Sequence, residues 1–253
     1  MIFYACNKEE KANSHLLEGK SLSSNDPNFY GILHNDITEH IIKNEIRLID
    51  CDSLKFYSSK ENQHRAIDLG IEYCLSKNYI TEAEANPLRE RLYDFFDKYE
   101  DRDFFVDLYE SEEFYIQVFQ DAGFSDRMIQ TQLLIRETVH PISCTPEMTN
   151  QVFSDILEKN YYGLNAEELF QIKIQQAVTN YSRDFWNGIK LKNRKEKNPN
   201  LPSWVKDCAE WTIIMDAGGV IFGSVFGPWG SAVVGAASSI AAKRDCECNG
   251  KYK

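Results

Sequence analysis

Between Asn25 and Gly188, apolar residues return every three or four positions, the spacing of one helix face, and strand-like alternation is scarce. Asn25 and Asp26 ahead of Pro27 mark a helix start, since proline suits a first turn. Leu33, Ile37, Ile41 and Leu48 then keep an approximate stripe. Ile67, Ile71, Cys74 and Leu75 make a second. Thr81 with Glu84 fits a capping box, where a hydroxyl and a carboxylate satisfy backbone N–H groups that the first turn leaves over. Leu88, Leu92, Phe95 or Phe96, and Tyr99 carry that helix onward. A fourth helix is expected from about Phe104 to Gly123, whose lack of a side chain suits a left-handed end. Ser125 opens the next, with Ile129 and Leu133 inward, and Thr145-Pro146-Glu147 opens another. Asn165 with Glu168 caps a longer one that runs through Leu169, Ile172, Gln176 and Phe185 to Gly188. The connections are short and no long period repeats, so the pattern predicts an all-α multi-helix bundle rather than a solenoid.

From Thr212 to Ala242 the pattern changes, and the only charge is Asp216. Gly219, Gly223 and Gly227 recur every four residues and so share a face, where a second backbone can approach closely. Gly227-Pro228-Trp229-Gly230 breaks the run, because proline denies its predecessor the helical conformation. Pro228 and Trp229 are therefore the expected turn. Ser231, Gly235 and Ser239 form the answering small-residue face. A C-terminal glycine-zipper helical hairpin is predicted. Its arms measure about 24 Å and 18 Å at 1.5 Å per residue, short of a hydrocarbon core of about 30 Å. Burial against the bundle, insertion into membrane and assembly with other copies all stay open. The segment resembles the glycine-zipper stretches of small envelope proteins and of pore-forming bacteriocins, which implies a tail that associates with membrane or with itself.

Charge narrows the partners. The chain has 253 residues and a net charge of −11, and nucleic acid calls for a basic surface. The one basic cluster, Lys190, Lys192, Arg194, Lys195 and Lys197, reads as a solvated linker. Seven cysteines are present, Cys6, Cys51, Cys74, Cys144, Cys208, Cys246 and Cys248. With Cys6 set aside, six remain for disulfides in an oxidising compartment, with fifteen complete pairings open.

The polar residues carry no familiar catalytic pattern. The histidines, His15, His34, His40, His64 and His140, form no zinc pattern. His34 and His40 are assigned solvated or capping roles, since six residues apart on a helix they face different ways. His140 and Cys144 lack a third group to orient a thiol nucleophile. Cys246 and Cys248 lack a second pair at zinc spacing, and neither a phosphate-cradling loop nor a nucleophile elbow occurs. The aromatics from Phe95 to Phe119 suit a packed core beside an acidic face. No catalytic residue, metal site or cofactor is predicted.

The chain opens Phe3-Tyr4-Ala5-Cys6, followed by Asn7-Lys8-Glu9-Glu10. The first four resemble the end of a bacterial lipobox, and the next four are similar to the lysine-plus-acidic export signal of Bacteroidota surface lipoproteins. That resemblance implies lipidation at Cys6, an outer-membrane lipoprotein facing the surface or the periplasm, and a start codon placed inside the signal's apolar region. On this reading residues 1–24 are a lipobox-like stub and tether, 25–188 a helical bundle and 189–202 a basic linker. Residues 203–244 are the hairpin and 245–253 a cysteine-containing tail. The function expected is that of a non-enzymatic envelope lipoprotein. Its body binds an unidentified protein, and its tail self-packs, forms homo-oligomers or meets membrane. The alternative is a membrane-permeabilising effector.

Overall fold

The structure is a computed structural model that describes residues 23–44, 60–99, 104, 107–108, 111–139, 146–188 and 208–248. Cys6, the tether up to residue 22, the linker of 189–202, His140 and Cys144 lie outside them. The described residues hold nine regular helices and no strand.

Helix α1, Pro27–Asn44, begins where the Asp26 carboxylate accepts the Asn28 N–H at 2.9 Å. It buries Tyr30, Leu33, His34, Ile37, Thr38 and Ile41, one stripe of its surface. Helix α2, Lys60–Ser76, and α3, Glu82–Asp97, follow. The Glu84 carboxylate accepts the Thr81 backbone N–H at 2.8 Å, so the expected capping pair sets the start of α3. Helix α4 is Glu112–Asp121, a later start than the sequence suggested. Phe104 and Leu108 are helical and buried, but the Ser111 hydroxyl accepts the Phe114 N–H at 3.1 Å and makes Ser111 the cap of the regular helix. Gly123, at φ +84°, ends it as predicted. Helix α5 is Asp126–Val139 and α6 is Pro146–Lys159. Helix α7, Ala166–Gly188, is opened by a reciprocal cap in which Asn165 and Glu168 each accept the other's N–H at 2.9 Å.

Helices α8, Cys208–Ser224, and α9, Pro228–Cys248, form the hairpin. It is the centre of the bundle, not an appendage beside it. Helix α8 packs on α7 and α9, and α9 on α1 and α2, in one continuous core. Every described side chain from Trp211 to Ser224 is buried, which explains an arm apolar all round. Phe222 carries the hairpin into the aromatic layer around α3 and α4, with ring centroids 4.4 Å from Phe119 of α4 and 5.8 Å from Phe104, which lies between the two helices. Just past the turn, Trp229 packs edge-on against Phe29 and Tyr30 of α1. The turn is tighter than expected. Gly227, at φ +89°, leaves α8, and Pro228 already occupies the first position of α9, where its missing N–H costs nothing. Trp229 thus belongs to the first turn of a helix and not to the connection.

Candidate functional site

The arms of the hairpin touch through small residues, in a register only partly anticipated. A Cβ built on Gly223 would stand 2.1 Å from the Gly230 carbonyl oxygen and 2.7 Å from the Ser231 Cα. One on Gly219 would stand 2.9 Å from both the Ser238 Cβ and the Val234 carbonyl oxygen. These are backbone approaches that a side chain would block. Gly235 instead meets Val220, with an ideal Cβ 2.6 Å from its Cγ2, and the imidazole of His34 at 3.0 Å. Gly227 would meet nothing within 4 Å, so it serves the turn alone. Ser238 takes the packing role opposite Gly219, and Ser239 has another task.

At the other end, Cys208 and Cys246 are joined by a disulfide with Cα atoms 5.5 Å apart. It closes the hairpin opposite Gly227. Cys74, on α2, is a buried free thiol whose pKa burial pushes up to about 12.

Midway between staple and turn sits a polar cluster that sequence reasoning missed. Asp216 of α8 is fully buried and is held by groups from three other helices. Its Oδ2 accepts from the Ser182 hydroxyl and, at 3.0 Å, from the Trp186 indole N–H, both on α7. Its Oδ1 meets the Ser239 hydroxyl of α9. The Nε2 of His34, on α1, lies 3.7 Å from Oδ2 and 3.1 Å from the Ser239 Oγ. The Nδ1 of His34 meets the Asn35 amide oxygen at 3.0 Å, and the Asn35 amide donates to the Tyr181 carbonyl at 2.9 Å. Burial pushes the Asp216 carboxyl up from the usual carboxylate range, outweighing the opposing pull of His34 and the three donors. His34 is therefore not solvated, as its sequence setting suggested, but 0% exposed. His40 is half-buried and pairs with the Asn44 amide at 3.1 Å. A second polar tie lies nearby, where Gln132 and Gln175 exchange amide bonds at 3.1 and 3.2 Å and Gln175 reaches the Ala217 carbonyl.

The chain matches no protein-family model, no curated protein and no solved structure. The site must therefore be read from its own chemistry.

Serine, histidine and aspartate meet here, but in the wrong order for nucleophilic catalysis. Activating a serine needs the imidazole between hydroxyl and carboxylate. Here the Ser239 hydroxyl lies between the other two, and all three side chains are fully buried. The arrangement ties α8 to α1, α7 and α9. Among the described residues no group of histidine, cysteine and carboxylate side chains is placed to hold a metal, and no helix is long and apolar enough to cross a membrane.

The signals for this cluster were present in the residues. His34 interrupts the apolar stripe of α1, and Asp216 is the one charge in an apolar run. Each is a polar outlier at a core position that demands a partner. Ser182 and Trp186 stand four apart on one face of α7.

Proposed function

We propose that this chain is a non-enzymatic envelope lipoprotein. A lipid on Cys6 holds it to the outer membrane, and the outward faces of its helical body bind a partner protein. The glycine-zipper hairpin packs on itself as the frame of that body. The observation that carries this reading is the Cys208–Cys246 disulfide, which closes the central hairpin and suits an oxidising compartment outside the cytoplasm. The lipobox-like Phe3-Tyr4-Ala5-Cys6 and the net charge of −11 agree with a protein displayed on an envelope rather than bound to nucleic acid. In cells fed radiolabelled palmitate, the protein expressed from its full gene should take up label. Cys6→Ala should abolish labelling and release the protein from membranes. Absent label, with Cys6→Ala still membrane-bound, would overturn the reading.

A second reading, a membrane-permeabilising effector, is favoured by one feature. The most apolar segment of the chain lies inside a sheath of amphipathic helices, with one buried carboxylate bonded to that sheath and a disulfide keeping its two arms paired. On that reading the reduced protein leaks dye from anionic liposomes faster than the oxidised one. Equal leakage, or none, across lipid compositions removes it.

A further inference from the structure

The hydrogen bonds around Asp216 constrain how many protons the cluster can carry. Only the NH2 of Asn35 can serve the Tyr181 carbonyl, so its oxygen faces His34 and the Nδ1 there must bear a hydrogen. The Oδ2 of Asp216 is filled by Ser182 and Trp186. The open question is the line from Asp216 Oδ1 through Ser239 Oγ to His34 Nε2.

Two arrangements close that line without a clash. In one, Asp216 is a carboxylate, Ser239 donates to it, and a doubly protonated His34 donates to Ser239. In the other, protonated Asp216 donates to Ser239, and Ser239 donates to a neutral His34. They interconvert when the O–H bond of Asp216 breaks as Ser239 takes its proton and the Ser239 O–H bond breaks as Nε2–H forms. Net charge is zero in both. With one proton fewer, the lone pair of Nε2 faces that of Ser239 and the cluster keeps a buried net negative charge. With one proton more, two donors face Ser239 Oγ, its own hydrogen has no acceptor, and a positive charge is left.

We propose that Asp216, Ser239 and His34 form a one-proton lock, in which a single transferable proton seats the hairpin against α1 and both its loss and the gain of a second unseat it. His34 is the ionisable group that faces Asp216. Helix α7 presents Ser182 and Trp186, and α9 presents Ser239. Three buried cations belong to those helices: Arg183 follows Ser182 on α7, and on α9 Lys243 stands one turn beyond Ser239 on the same face, with Arg244 next to it. Further along α1, Asp36 is taken up by the Tyr73 hydroxyl at 3.2 Å. Helix α2 meets the hairpin at Gly70, against Val233. The raised Asp216 carboxyl agrees with a site that resists losing its last proton.

Two measurements on the full chain test the lock. In ¹⁵N spectra of the wild-type imidazoles, His34 should keep a protonated Nδ1 wherever the protein is folded. A bare Nδ1 would overturn the proton count without any variant. Amide exchange in α8, corrected for its intrinsic pH dependence, should be slowest at intermediate pH and at least about tenfold faster on either side. Asp216→Asn keeps the shape, donates to Ser239 and closes the line with neutral His34. It should abolish the alkaline rise and keep the acid one. If Asp216→Asn speeds exchange equally at every pH, or wild-type protection is flat, Asp216 is a structural acceptor and no lock exists.

Discussion

His34 with Asp216 and His64 with Asp97 join the same two side chains, yet their surroundings give them opposite characters. The first pair is 0% exposed on both sides and couples four helices. The second lies at the rim of α2 and α3, with His64 Nε2 2.8 Å from the Asp97 Oδ1 and side-chain exposures of 18% and 28%. There burial pushes the Asp97 carboxyl up, but the bonds from Lys60 and His64 outweigh it and hold the carboxyl below its usual range. For Asp216 the balance goes the other way. The strength of a charge pair is set by what water could do instead. Near the surface the partners replace solvent cheaply, and in the core they replace nothing and become obligatory.

The largest effect should come from blocking the close approach of the hairpin arms that carry Asp216 and Ser239. Gly223→Leu drives a side chain into the Gly230 backbone, which cannot retreat because the arms meet there. Destabilisation beyond about 5 kcal/mol is expected, enough to prevent folding, and would be read as loss of a cooperative urea transition. A folded Gly223→Leu protein would show that the arms do not need this approach. Next, breaking the Cys208–Cys246 bond by substituting both cysteines with alanine should cost about 4 kcal/mol, from the entropy of the chain it closes. The urea midpoint would measure it.

The pairs themselves come next. Asp216→Ala strips the acceptor from Ser182, Trp186 and Ser239 and should cost about 3–5 kcal/mol. Asp97→Ala removes contacts that water can replace and should cost less than about 1 kcal/mol. Comparable losses in the two would erase the distinction drawn here.

What could be read from the residues, and what could not, divides along similar lines. Caps were legible because they are local: Thr81 with Glu84 and Asn165 with Glu168 lie within one turn and appear as expected. The hairpin was legible because its glycines break the composition. The start of α4 was missed because Ser111 lies inside an aromatic stretch whose apolar period continues across it. The buried cluster was missed because helical period tells which face a residue occupies and not which helix lies opposite. His34 and Ser239 stand at nearly opposite ends of the chain. The disulfide does have a signal in the sequence, since Cys208 and Cys246 each lie 19 residues from Gly227 (227 − 208 and 246 − 227) and so meet when the hairpin closes.

The smallest effect distinguishes the pairs by sign. A carboxyl held below its unfolded value, about 3.9 for aspartate, adds stability that is complete above that value and is lost as the pH falls through its folded one. Asp97 is such a group. The stability gap between wild type and Asp97→Asn should therefore be open at neutral pH and close in acid, following the proton that Lys60 and His64 had kept off. Asp216, with its carboxyl raised, has the opposite slope: its contribution is greatest below the unfolded value and falls as the pH climbs. Stability differences taken from pH 3 to 7 for Asp97→Asn and Asp216→Asn should thus run in opposite directions, with the Asp97 line the shallower because solvent screens its partners. Parallel lines would mean that burial does not separate the two pairs, and that the core carboxylate holds its proton no more tightly than the one at the rim.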